Sequence, residues 1–125
     1  MPNDKDELEK VLKRLEANVP EIEAAAVVSL DGLILASALP NDIDEDRVAA
    51  MAAAMHSLGE KVSEELKRGM LEQLFIRGVE GFTFIVQAGA EGVLTVLARK
   101  EAKLGLIFLE IKRATVEIAK ILSPH

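Results

Sequence analysis

The octapeptide Val48-Ala49-Ala50-Met51-Ala52-Ala53-Ala54-Met55 has no polar side chain, and it lies inside the longest helical pattern of the chain. A helix that is apolar all round has to be covered all round. Its flanks are nonetheless charged, with Asp44, Glu45, Asp46 and Arg47 before it and Glu60, Lys61, Glu64 and Glu65 after it, so both ends sit in water. A chain of 125 residues cannot enclose such a helix on every side. Part of the helix surface is therefore expected to belong to another molecule.

The punctuation of this helix is clear. Asp44 is a good N-cap, Ile43 and Val48 occupy the two places of a hydrophobic staple, and Glu45 and Asp46 stand in the first turn, where the helix dipole favours acids. Lys67-Arg68-Gly69 is expected to end it, with glycine at the C′ place. At about 100° per residue, Met51, Met55, Leu58, Val62 and Leu66 fall in one stripe. Val48, Ala52, Gly59 and Ser63 form a strip of small residues beside it, with His56 at its edge. The stripe is expected to face a sheet, and the strip to let a second helix come close.

Around this element the chain reads as alternating helix and strand signals. A first helix runs from about Asp4 to Ala17, with Leu8, Val11, Leu12 and Leu15 as its apolar stripe, and Pro20 stops it. Ala24 to Leu30 and Leu33 to Ala38 are strand-like runs separated by Asp31-Gly32, a strong hairpin signal. Leu71 to Arg77, Phe82 to Gln87 and Val93 to Ala98 read as a three-stranded meander. The last helix spans roughly Leu104 to Leu122, and Pro124 closes the chain.

The strands are apolar on both faces, so helices should cover both sides of a mostly antiparallel sheet in an α/β domain. Five strands at about 4.8 Å span roughly 24 Å, whereas one helix covers about 10 Å. The two terminal helices can nearly cover one face. The central helix cannot cover the other alone, which is a geometric case for self-association.

Composition narrows the function. The net charge of −6 argues against a nucleic-acid footprint, and the basic residues alternate with acidic ones. With no cysteine there is neither a disulfide nor thiol chemistry. Absent a secretory pattern at the N-terminus or a long apolar run, the chain reads as soluble and cytoplasmic, in one domain.

The residues also carry a resemblance. Ser29-Leu30-Asp31-Gly32-Leu33-Ile34-Leu35-Ala36-Ser37, the Ala-rich helix through Ser57-Leu58-Gly59-Glu60, then Gly69-Met70-Leu71-Glu72-Gln73, and finally Leu104-Gly105-Leu106, in that order, resemble the roadblock (dynein light chain) family. The resemblance covers about Pro20 to Ile121. It implies a profilin-like three-layer α/β/α sandwich with three helices and sheet order 2-1-5-4-3. It further implies homodimers that pair third strands edge to edge and set central helices side by side, and a role in binding and regulating a Ras-like small GTPase. Lys103 stands where relatives often carry Asn.

Catalytic constellations are not found in the sequence. His56 has no Ser, Cys or Asp partner implied by spacing, and it pairs with terminal His125 in no metal pattern. No Gly-x-x-x-x-Gly-Lys-Ser/Thr motif occurs, so the chain is not itself expected to be a GTPase. Gly89 and Gly92 read as hairpin glycines, and Arg99, Lys100 and Lys103 as a solvated loop. The expectation is a non-enzymatic scaffold without cofactor or metal. A small-molecule sensing module of the same fold is the alternative. For the dimer contact the candidate residues are Val48, Ala52, His56, Gly59, Ser63, Leu71, Gln73 and Phe75; for a GTPase they are Arg47, Ala49, Ala50, Ala53, Ala54 and Glu60.

Overall fold

Eight elements follow one another in the computed structural model, which describes residues 4–123. They are α1 (Asp4–Asn18), β1 (Ile22–Ser29), β2 (Ile34–Ala38), α2 (Glu45–Glu65), β3 (Gln73–Arg77), β4 (Gly81–Ala88), β5 (Gly92–Arg99) and α3 (Leu104–Leu122). The strands form one antiparallel sheet in the order β2-β1-β5-β4-β3, as the resemblance implied. Pro124 and His125 lie outside the described residues.

Strand alternation divides the apolar residues between two cores. Phe84 pairs with Val96 and Phe75 with Phe84, so these side chains share a row on one face. That face carries the main core, in which Leu8, Leu12 and Leu15 of α1 and Ile107, Ile111 and Ile118 of α3 close over Val27, Phe84, Leu94 and Val96. All four phenylalanines of the chain meet there: Phe84 and Phe108 pack edge to face at 5.3 Å, and Phe75 stacks on Phe82 at 5.6 Å. The opposite face is thin. Among the described residues, Ala26, Val28, Ala49 and Ala52 form the buried apolar cluster there, with Ile34 and Leu39 against it.

Two local details depart from the sequence reading. The β1–β2 turn takes in Leu30 as well as Asp31 and Gly32: Gly32 N–H donates to Ser29 O at 3.1 Å and Ser29 N–H to Leu33 O at 2.8 Å. This is a three-residue connection that needs glycine at its left-handed third place, where Gly32 has φ +88°. At its other end, α2 stops before the expected glycine. Lys67 takes the left-handed position at φ 58°, Arg68 N–H returns to Ser63 O at 2.7 Å, and Lys67 N–H to Glu64 O at 3.1 Å. These are the two bonds of a Schellman cap, and Gly69 lies two residues beyond the C′ place.

Candidate protein interface

The N-terminus of α2 forms as its sequence dictates: the Asp44 carboxylate accepts from Asp46 N–H at 3.0 Å and from Arg47 N–H at 3.4 Å. Its rotation about its own axis is the reverse of the expectation. Val48, Ala49, Ala52, His56 and Gly59 are the buried residues, turned against the chain's own sheet. Met51 is 56% exposed, Leu58 56%, Val62 48% and Leu66 63%. The small strip faces inward because the sheet beneath it is itself built from Ala24, Ala26 and Val28, all fully buried. Small residues on both surfaces let helix and sheet approach closely; the bulky stripe does not fit there and is left outside.

Gly59 illustrates the correction. A Cβ on it would stand 3.0 Å from a methyl of Leu71 and 3.0 Å from a methyl of Leu74. The close approach it permits is to its own chain, not to a second helix. Val48, Ala52 and His56 of the dimer set, and Ala49 of the GTPase set, are likewise buried within the protomer. Ser63 and Leu71 are half-buried at the rim, and Gln73 and Phe75 are exposed on β3. Arg47, Ala50, Ala54 and Glu60 are exposed, and Ala53 is half-buried. A Cβ on Gly32 would sit 3.6 Å from the Ala53 methyl, which places that side of α2 over the β1–β2 turn.

His56, 3% exposed, is tied into the fold. Gln87 of β4 donates through Nε2 to the Gly89 carbonyl at 2.5 Å, which turns its Oε1 toward His56. His56 then donates from Nε2 to that oxygen at 2.5 Å, and its Nδ1 faces the Glu60 carboxylate at 3.5 Å. The relay pins α2 to the β4–β5 turn. Gln87 and Leu74 escaped the sequence reading; the signal for Gln87 was a polar residue in the otherwise apolar run of β4.

The exposed stripe runs toward the sheet edge. Met55, Leu58 and Val62 of α2, with Leu71 and Leu74, line an almost wholly apolar groove of about 300 Å³. Beside it β3 pairs with β4 alone. The outer N–H and C=O groups of β3 have no strand partner among the described residues, and Phe75 and Ile76 are 39% and 42% exposed. The described residues gather no group of three or more His, Asp and Glu side chains that could hold a metal. Among them no helix is long and apolar enough to cross a membrane.

A sequence model of the Roadblock/LC7 domain matches residues 7–98. The chain belongs to the Roadblock/LC7 family. Two uncharacterised proteins of Methanocaldococcus jannaschii are each 44% identical to it over 105 residues, spanning 83% of this chain and 91% of theirs. Among solved structures, Myxococcus xanthus MglB superposes with a TM-score of 0.89 at 22% identity, covering 97% of this chain and 91% of that one. Acanthamoeba castellanii profilin IB gives 0.66 at 9% identity over 90% of this chain and 97% of its own. The Roadblock/LC7 fold is thus a profilin-like α/β/α sandwich in this chain, with α2 alone on the side that carries the exposed stripe.

Proposed function

We propose that this Roadblock/LC7 chain is a homodimeric scaffold that binds and regulates a Ras-like small GTPase, possessing no catalytic group of its own. The observation that carries the reading is the continuity of the exposed apolar stripe of α2 with the open edge of β3. An open edge bearing Phe75 and Ile76 is an aggregation hazard unless it is paired. Antiparallel pairing of β3 with its own copy, about one two-fold axis, would satisfy the edge and lay Met51, Met55, Leu58 and Val62 against their counterparts. Relatives bear on assembly as well, since one MglB structure is described as having a tetrameric arrangement.

The GTPase reading rests on the family. On the paired α2 helices, Arg47, Ala50, Ala54 and Lys61 fall on a line pointing away from the sheet, and all four are exposed. Two such lines side by side would make a shallow apolar floor with a charged rim, the kind of patch that marks partner sites. Candidate GTPases from the same genome, loaded with GDP or a GTP analogue, should be retained by the wild-type protein and lost with Ala54→Glu, whose mass and circular dichroism stay unchanged. Retention by Ala54→Glu in both nucleotide states would move the partner site off this face.

A further inference from the structure

The outward face of α3 is chemically unlike the rest of the surface. Leu106, Leu109 and Val116 are 41%, 47% and 50% exposed and stand in one stripe along the helix. Lys103 at its N-cap and Lys112, Arg113 and Lys120 along it are exposed too, and Glu117 keeps 44% of its side chain exposed. Its two carboxylates are both engaged. Glu110 is buried, bonded to Arg113 and Asn18, and Glu117 is held by Arg14 at 3.1 Å. Lys10 and Lys13 of neighbouring α1 stand at i,i+4 spacing from Asp6 and Glu9, so α1 leaves the charge of the ridge unchanged, and Glu101 in the preceding turn is flanked by Arg99, Lys100 and Lys103. All of this occurs in a chain of net charge −6, whose α2 exposes Glu45, Asp46, Glu60, Glu64 and Glu65 against Arg47 and Lys61. The α3 ridge is thus a net basic strip on a net acidic chain.

We propose that the α3 ridge docks on an anionic lipid bilayer, with Leu106, Leu109 and Val116 dipping into the headgroup boundary and the cations lying among lipid phosphates. Apolar residues flanked by lysine and arginine, with unopposed acids kept off the face, are what a helix lying in a membrane interface requires. Geometry favours a flat, extended anion over a single peptide. Antiparallel pairing of two β3 edges puts the two-fold axis normal to the sheet, so in the proposed dimer both α3 ridges point to one side and both α2 helices to the other. Two coplanar basic ridges can engage one surface together, leaving the GTPase face turned away from it. The bivalency rests on the dimer reading; the ridge itself does not.

Sedimentation of the full chain with vesicles tests this. Binding to phosphatidylcholine vesicles containing about 30% phosphatidylglycerol should exceed binding to pure phosphatidylcholine by about tenfold or more, because each cation near an anionic surface contributes measurably. It should weaken severalfold between about 50 and 300 mM salt as the charges are screened. The double variant Lys112→Glu/Lys120→Glu should lose the anionic preference, and Leu109→Ser should bind several times more weakly at unchanged charge, both with wild-type circular dichroism. Leu58→Ser, on the opposite face, separates this proposal from the dimer. A monomeric Leu58→Ser that binds more weakly but still prefers anionic vesicles supports the ridge. Equal binding to both vesicle types, or indifference to the Lys112 and Lys120 reversals, overturns it. Assembly beyond a dimer without lipid, abolished by Leu109→Ser, would make the ridge a contact between copies and also overturn it.

Discussion

On one side of the sheet Phe84 and Leu94 lie sealed beneath two helices, while on the other Ala26 and Val28 lie beneath one. Both sides are close-packed where they are covered. What differs is the size of the residues and what remains uncovered. The α1/α3 side fills its space with Leu, Ile and Phe, so its stability resides within the single chain. The α2 side is built from alanines and glycine at short range, a tight contact that buries little area per residue, and its large apolar side chains point outward. The first side is a core; the second is the half of a core that the proposed dimer would complete. Hydrophobic stabilisation scales with apolar area removed from water, so the protomer is expected to draw most of its stability from the first side and the assembly from the second.

The largest effect should come from emptying the sealed side. Phe84→Ala removes a fully buried ring that touches Phe75, Phe82 and Phe108, and substitutions of that kind cost about 3–5 kcal/mol. Urea unfolding of the variant should show a loss of that order. The matching change on the other side, Leu58→Ser, should leave protomer stability within about 0.5 kcal/mol, as exposed positions do, while light scattering reports half the mass. Similar losses from the two variants would erase the distinction between the two sides.

An intermediate effect is expected where α2 meets the sheet edge. At Gly59 a leucine would drive a branched chain into Leu71 and Leu74, and overpacking of this kind costs about 1–3 kcal/mol. The thermal midpoint of Gly59→Leu should fall even in the monomeric Leu58→Ser background. Alanine is subtler: its Cβ meets only the methyl ends of two flexible side chains at 3.0 Å, and helix propensity gains up to about 1 kcal/mol. Gly59→Ala should therefore be close to neutral. A Gly59→Leu protein that keeps its melting temperature but loses its dimer would return Gly59 to an interface between copies.

Gly59 also marks what the sequence could and could not reveal. Element existence was legible because period and punctuation agree: the Asp44 cap, the turn at Gly32 and the stripe of Leu8, Val11, Leu12 and Leu15 each read the same way locally and in the fold. The rotation of α2 was not. Its pattern offers a bulky stripe and a small strip, and the rule that large apolar residues go inside selects the wrong one. The correcting signal lay in another element, the alternate residues Ala24 and Ala26 of β1, whose flat surface matches alanine and glycine rather than methionine and leucine. His56 follows the same logic. A polar residue in an apolar helix found its partner, Gln87, in a strand 31 residues away, a pairing that periodicity within either segment does not encode.

The smallest effect distinguishes the sealed side from the open one by its cost in charge. Glu16 lies on α1, and its Oε2 is buried without a hydrogen-bond partner. Burial raises its pKa above the ordinary value of 4.5, because desolvation disfavours the ionised form. The folded protein therefore binds the Glu16 proton more tightly than the unfolded chain does, so this group's contribution is fully present below pH 4.5 and is lost as pH rises through the folded-state pKa. Glutamine has similar helix propensity and no charge to desolvate. Glu16→Gln should raise the melting temperature slightly at pH 7, with the gap to wild type closing as the pH is lowered to 4.5 and below. A gap of constant size across that range would mean that the side chain is hydrated through both states and that the α1 side does not exclude water at this point.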